Sequence, residues 1–254
     1  MKRQLTYEDM KNIVGQINQR NYDYDEPFLN VVDEILDNSE GKHVQTVLNE
    51  SFEKLLSQVN TEIEQVEKEM ELSSLCRVGC AHCCYFPIIV TRLEVKLMLF
   101  YINQLPKDRK QVIKNQVEEY LHQHEATLSD MKKLDFEKDQ NFKRKYKEFH
   151  LPCIFLNRET NKCMAYEVRP IPCRTYVNYV DADVCANELL PKEPISYEFL
   201  HRFYVEGMDE VIQEILEVVE DKEIGFSYPD DAADVNYLPL LLQEELQTTN
   251  VDWD

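Results

Sequence analysis

Residues 44–72 read VQTVLNESFEKLLSQVNTEIEQVEKEMEL. Apolar side chains recur at Leu48, Phe52, Leu55, Val59, Ile63, Val66 and Met70, which spans 22 residues in six steps. That step is near the ~3.6-residue period of an α-helix, and polar residues fill the positions between. The spacing predicts one long amphipathic helix over 44–72, its stripe in the core, delivering the chain to Cys76. The expected fold class is mainly α: a helical domain supporting an irregular cysteine-rich core.

Composition agrees. Only 5 glycines stand against 48 Asp and Glu, and glycine scarcity with abundant Glu, Lys, Leu and Gln favours helices over tight turns. Thr6 to Asp9 resembles a capping box opening a first helix. Phe28, Val31, Val32, Ile35 and Leu36 stripe a second. Thr91 and Glu94 form another capping box, followed by Leu93, Leu97, Phe100 and Ile102. Pro106 can start the next helix, with Val112, Ile113, Val117, Tyr120 and Leu121 inward. Residues 129–149 are polar and mildly basic (Lys132, Lys133, Lys143, Arg144, Lys145, Lys147) and read as an exposed helix or linker, a solvated face before a partner surface. Pro152, Pro170 and Pro172 mark 153–185 as irregular. A helix is expected from Ser196, with Phe199, Leu200, Phe203, Val211, Ile212, Ile215, Leu216 and Val219 inward, interrupted near Gly207. The tail after Gly225 is expected to be loosely ordered, with the apolar patch Tyr237–Leu242 able to dock back. The resulting division is 1–75 helical, 76–190 cysteine-rich with a helical insertion at 91–150, and 191–254 a helix with an acidic tail, together one compact unit.

The formal charge of −20 is uneven: residues 206–254 hold 15 acids against the single base Lys222, hence −14. Such a face repels phosphate backbones and anionic lipid, so neither nucleic acid nor membrane is expected as a partner; a protein partner stays open. The opening MKRQLTYEDMKN lacks the apolar stretch of a secretory signal, and no run approaches the ~20 apolar residues of a membrane span. The expectation is a cytoplasmic chain, where disulfides are rare.

All eight cysteines fall between Cys76 and Cys185. Cys76, Cys80, Cys83 and Cys84 form one group; Cys153, Cys163, Cys173 and Cys185 form another. Thiolate is a soft ligand suited to zinc and to iron–sulfur clusters, which commonly take four cysteines each. Gly79 would let the backbone approach the sulfurs closely. Cys83 and Cys84, being adjacent, are expected to point apart and to serve different metals or different atoms of a cluster. Neither group makes a comfortable site alone, so the two are expected to converge. A disulfide set, scattered buried thiols, or a redox pair at Cys80/Cys83 explains fewer of the cysteines. His82 is a ligand or a bystander. No P-loop, dinucleotide fingerprint, G-x-S-x-G or H-E-x-x-H occurs, so no nucleotide site or familiar hydrolase centre is supported.

The stretches CRVGCAHCC (76–84), LPCIFL (151–156) and NKCMAYEVRPIPCRTY (161–176), with closing Cys185, resemble the YkgJ-type cysteine-cluster proteins, also described as a zinc- or iron-chelating domain. That family's pattern is C-x-x-C-x-x-C-C with one variable spacer, then C-x-F-L, C-x-x-Y-x-x-R-P-x-x-C-R and a final cysteine; the first spacer is three residues here. The resemblance implies metal ligation by Cys76, Cys80, Cys83, Cys84, Cys153, Cys163, Cys173 and Cys185. A related cysteine-rich region occurs in flagellin lysine methylases associated with an iron–sulfur cluster, which favours iron–sulfur over zinc as the cofactor. Tyr166, Arg169 and Arg174 can sit behind the ligands, where arginine would offset thiolate charge. The alternative is that Arg169 pairs with a local acid such as Glu167. The function classes are a metal-binding protein, a redox or methylase-like protein-modifying enzyme that uses the cluster, and a structural-zinc interaction scaffold.

Overall fold

A computed structural model of the chain describes residues 5–217 and 225–248. In chain order it begins with helices α1 (Tyr7–Asn18), α2 (Asp25–Asp37) and α3 (Val44–Glu69), a 3₁₀ turn (His82–Tyr85), strand β1 (Ile89–Thr91), and helices α4 (Arg92–Gln104), α5 (Lys107–Gln123), α6 (Glu125–Met131) and α7 (Phe142–Glu148). Strands β2 (Leu156–Asn157) and β3 (Lys162–Cys163) follow, then α8 (Ile171–Thr175), β4 (Tyr176–Val177), α9 (Ala182–Asn187), β5 (Ile195–Ser196), α10 (Leu200–Leu216), α11 (Asp230–Ala233), β6 (Val235–Tyr237) and α12 (Leu238–Thr248). Helix predominates and the strands form only small antiparallel pairs. No described helix is long and apolar enough to cross a membrane.

The chain divides into two compact units, Met1–Arg77 with Pro170–Ser227, and Val78–Arg169 with Tyr228–Asp254. In the first, α3 is the central helix, packed by α2, α10 and α8. Leu48, Phe52, Leu55, Val59 and Val66 are fully buried, as the period requires. Burying each such side chain contributes roughly 1.5–3 kcal/mol relative to leaving it exposed. The helix ends at Glu69, short of residue 72, because Glu71 turns left-handed (φ 53°). Leu72 N–H then donates to the Glu67 carbonyl at 2.8 Å and Glu71 N–H to that of Lys68 at 3.4 Å, the paired bonds of a Schellman terminus. Both capping boxes form: Thr6 with Asp9 at α1 and Thr91 with Glu94 at α4.

Two expectations about α10 need correction. Ser196 does not start the helix. It sits in β5, which pairs with β4 through Tyr176↔Ser196 and Val177↔Ile195, and α10 begins at Leu200. Gly207 does not interrupt α10 either. It is buried within it, and a Cβ there would lie 3.0 Å from Leu55 Cδ2 and 3.4 Å from Val32 Cγ2. The glycine thus permits close approach of α10 to α2 and α3. Val219, expected to face inward, lies outside the described residues.

α3 also buries a charge. The Glu62 side chain is buried; its Oε1 accepts from Gln58 Nε2 at 2.7 Å and from Tyr22 at 3.4 Å, while Oε2 has no hydrogen-bond partner. Burial raises its pKa, against the pull of those hydrogen bonds and of Arg20.

In the second unit α4 buries Leu93, Val95, Leu97, Met98, Leu99 and Ile102. α5 buries Ile113, Val117 and Tyr120, whereas Val112 is exposed, against expectation. The segment after Gly225 is not loose over 225–248. β6 pairs with β1 (Ile89↔Tyr237, Thr91↔Val235), and Leu238, Leu240, Leu241 and Leu242 are buried, so the apolar patch does dock. Charge reinforces the apolar contact: Arg92 pairs with Asp234 (2.6 Å), Glu244 (2.7 Å) and Glu245 (2.7 Å), and Lys96 with Asp231 (2.7 Å). Part of the acidic tail is therefore an internal fastening, not only a solvated face.

Gly207→Val should overpack the α3–α10 contact and lower stability by about 2 kcal/mol, read as a shift of the urea midpoint. Glu62→Gln keeps the shape and removes the buried charge. A carboxylate whose folded pKa is raised destabilises the fold as pH climbs through that pKa, so the substitution should raise the thermal midpoint more at pH 8 than at pH 4.

Candidate metal centre

The first cysteines are delivered by backbone contacts formed on either side of the 77/78 division. Within the first unit, Leu75 N–H donates to the Asn178 carbonyl (2.9 Å), and Asn178 N–H returns a bond to Cys76 Sγ (3.4 Å). Gly79 takes φ +93°, a conformation open to glycine, and turns the chain into Cys80. Cys83 and Cys84 ride the 3₁₀ turn, closed by Cys84 N–H on the Ala81 carbonyl and Phe86 N–H on that of Cys83, both at 3.0 Å.

The second group comes to meet them. Cys153 N–H donates to the Cys84 carbonyl at 2.6 Å. The β2–β3 pair sets Leu156 opposite Cys163, and Met164 N–H donates to the Phe155 carbonyl at 2.9 Å, which folds Cys163 back on the same hairpin. In the first unit, Cys173 lies on α8 after Pro172, its N–H bonded to the Pro170 carbonyl (2.9 Å), and Cys185 lies on α9, capped by Asp181 onto Asp183 N–H (2.9 Å). The two sequence groups therefore meet through the backbone: Cys84 with Cys153, and Cys76 with Asn178, which lies between Cys173 and Cys185. All eight thiols are free; Cys76 is exposed and the others are partly covered. His82 is exposed.

Residues 75–190 match the sequence model of the family described as "CxxCxxCC: Putative zinc- or iron-chelating domain". Over this segment the chain is similar to the CxxCxxCC family. No curated protein and no solved structure matches the chain. The CxxCxxCC segment starts one residue before Cys76 and closes beyond Cys185, so it takes in every cysteine.

Electrostatics of the CxxCxxCC domain set its thiols apart. Cys83 is drawn down from the ordinary thiol value to about 7, chiefly by a hydrogen bond with the Cys84 thiol, with Arg169 and Lys147 adding positive potential against burial. The adjacent thiols thus meet instead of pointing apart, because the tight turn brings their side chains to one side. Burial pushes Cys153 up to about 12, with Cys163 and Cys83 adding repulsion. Cys163 is also raised, by burial first, with Arg169 opposing. Cys83, Cys153 and Cys163 are thus near enough to affect one another's ionisation.

The arginine reading can be placed too. Arg169 lies over the Tyr166 ring, 4.5 Å from its centroid, and its charge acts on both Cys83 and Cys163. Glu167, the acid expected to compete for it, is ion-paired with Arg109 at 2.5 Å. Tyr166 is half-exposed and Arg174 is buried on α8 beside Cys173. Lys147, which sits over the Phe86 ring at 4.4 Å, was not singled out near the cysteines by sequence. It lies in a run of surface lysines, and nothing local distinguishes the one that the fold carries to Cys83.

Among the described residues no group of three or more His, Cys, Asp or Glu side chains is arranged to hold a metal ion as it stands. The donor chemistry nevertheless fits zinc or iron: free thiols, all but Cys76 partly covered, with Arg169 and Lys147 acting on Cys83. In metal-free reduced protein at pH 7.5, iodoacetamide should modify Cys83 well before Cys153 or Cys163, because thiolate is the nucleophile. Peptide mass spectrometry over a time course reads the order; equal rates at the three positions would contradict these environments.

Proposed function

We propose that this chain is a metal-binding protein whose eight cysteines hold iron–sulfur in preference to zinc, the remaining helices serving to support that centre. The observation that carries the reading is the meeting of Cys83, Cys84, Cys153 and Cys163 beside Arg169, residues the sequence scatters over two distant groups. Similarity to the CxxCxxCC family supports metal binding, and the choice of iron–sulfur rests on the resemblance to the cluster-associated methylases. Bound metal would supply a positive centre, and, as iron–sulfur, one-electron chemistry. The chain's own residues would do the rest. Thiolates of the two groups would be drawn inward as ligands, the buried hairpin would limit water, and Arg169 and Lys147 would offset the excess negative charge of a thiolate shell. Arg174 would do the same beside Cys173. Segment 151–190 is already ordered in part by buried Leu151, Ile154, Phe155, Leu156, Val168 and Ile171, and metal-binding free energy would add to that folding free energy. A cytoplasmic setting suits such reduced thiols.

The test is metal analysis with a visible absorption spectrum on anaerobically purified protein. Iron with matching sulfide and broad visible absorption supports the preferred form, and colourless protein with stoichiometric zinc the other. Protein without either metal overturns the reading. Cys173→Ser should lower metal per chain and the thermal midpoint together. Arg169→Gln should retain metal but alter its spectrum or potential.

A further inference from the structure

Resting on that reading, we infer that Tyr120, aided by Gln116 and Arg109, is a positioning residue for Cys153: one face of α5 holds the peptide groups on which this cysteine is mounted. Arg109, Gln116 and Tyr120 follow one another at intervals of seven and four residues, so they share a stripe of the helix. Each sends a donor to a main-chain carbonyl of the cysteine hairpin. Tyr120 donates its hydroxyl to Pro152 at 2.9 Å, Gln116 its amide to Ile154 at 3.5 Å, and Arg109 its guanidinium to Met164 at 3.3 Å. Pro152 and Ile154 flank Cys153, and Met164 follows Cys163. All of these residues belong to the second unit.

The hairpin needs such donors because of where it lies. Residues 151–153 are in neither helix nor strand, and Leu151, Pro152, Ile154 and Phe155 are buried. A buried carbonyl outside a ladder must take its hydrogen bond from a side chain or from water. Cys153 donates its own N–H to the Cys84 carbonyl at 2.6 Å, and its carbonyl accepts from Leu156 N–H at 2.9 Å. The peptide group before Cys153 is therefore tied at both ends, with Tyr120 on its carbonyl, and the group after it is tied at its carbonyl.

Of the three donors, Tyr120 has the greatest leverage. It is 4% exposed and its bond to Pro152 is buried, whereas the Arg109 side chain is 40% exposed and shares its charge with Glu167. Losing a donor where water has little access leaves the acceptor unsatisfied. A thiol mounted on so constrained a backbone gives up little freedom when a metal draws it in, and groups that orient ligands from behind govern affinity by this route. Tyr120 thus acts through the backbone of Cys153.

The test compares Tyr120→Phe, which removes only the hydroxyl, with Ile113→Val, which loosens the same helix at a buried position and removes no donor. Full-length reduced apoprotein is alkylated with N-ethylmaleimide under native conditions and read cysteine by cysteine by mass spectrometry. The same protein is titrated with zinc ion alone, and its thermal midpoint is measured. In Tyr120→Phe, Cys153 should be modified faster while Cys76 and Cys185 keep their rates, and the zinc dissociation constant should rise by about tenfold. Ile113→Val should lower the midpoint yet leave the Cys153 rate and the zinc constant at wild-type values. Unchanged Cys153 rate and zinc affinity in Tyr120→Phe overturn the assignment, as does an equal change in Ile113→Val. If the wild type binds no zinc, the metal reading falls by itself. A Cys153 rate raised only in Tyr120→Phe then still upholds the positioning, and an unchanged rate removes it.

Discussion

A thiol at a surface turn becomes a ligand only when the backbone brings other thiols to it, and here that task falls on main-chain hydrogen bonds between segments far apart in sequence. Cys153 N–H on the Cys84 carbonyl, and Asn178 exchanging bonds with Leu75 and Cys76, fix where the later cysteines meet the earlier ones. Neither contact depends on side-chain identity at the donor. The helices lead into these segments: α3 ends six residues before Leu75, and α7 ends just before the 151–156 stretch.

The elements most readable in the sequence are those whose determinants are local. The α3 stripe repeats every turn, and the two capping boxes place donor and acceptor three residues apart, so each could be seen without knowing the fold. The errors fall where the deciding partner is remote. Ser196 looked like a helix start because serine caps helices, but Thr175–Val177 offered it a strand: Tyr197 N–H donates to the Thr175 carbonyl at 2.8 Å. Gly207 looked like an interruption because glycine is a poor helix former. Its reason for being there is Leu55 on another helix, invisible to any window around residue 207. The order of the 225–248 segment likewise depends on β1 and Arg92, more than a hundred residues earlier.

The candidate site divides in the same way. Cysteine spacing and the Tyr166-Arg169-Pro170-Arg174 run mark the candidate ligands and their candidate neighbours, because the chemistry is carried by rare residue types in a fixed order. What spacing concealed was grouping. Cys83 and Cys84 are adjacent in sequence and were read as facing apart, yet a 3₁₀ turn lets their thiols meet. Lys147 was one of many surface lysines until the fold set it over Phe86.

Charge supplies the link between fold and site. A chain with formal charge −20 holds only 28 lysines and arginines, so where they are partly withdrawn from water says where negative charge is concentrated. One such place is the Arg92–Lys96 pair, which meets Asp231, Asp234, Glu244 and Glu245 and fastens the last segment to α4. Another is Arg169 and Lys147 near Cys83, whose thiol both draw down. A thiolate shell around zinc or a cluster carries excess negative charge, and cations beside the sulfurs reduce the cost of assembling it. Acids of the tail are thus paired by α4, while Arg169 and Lys147 lend positive potential to Cys83.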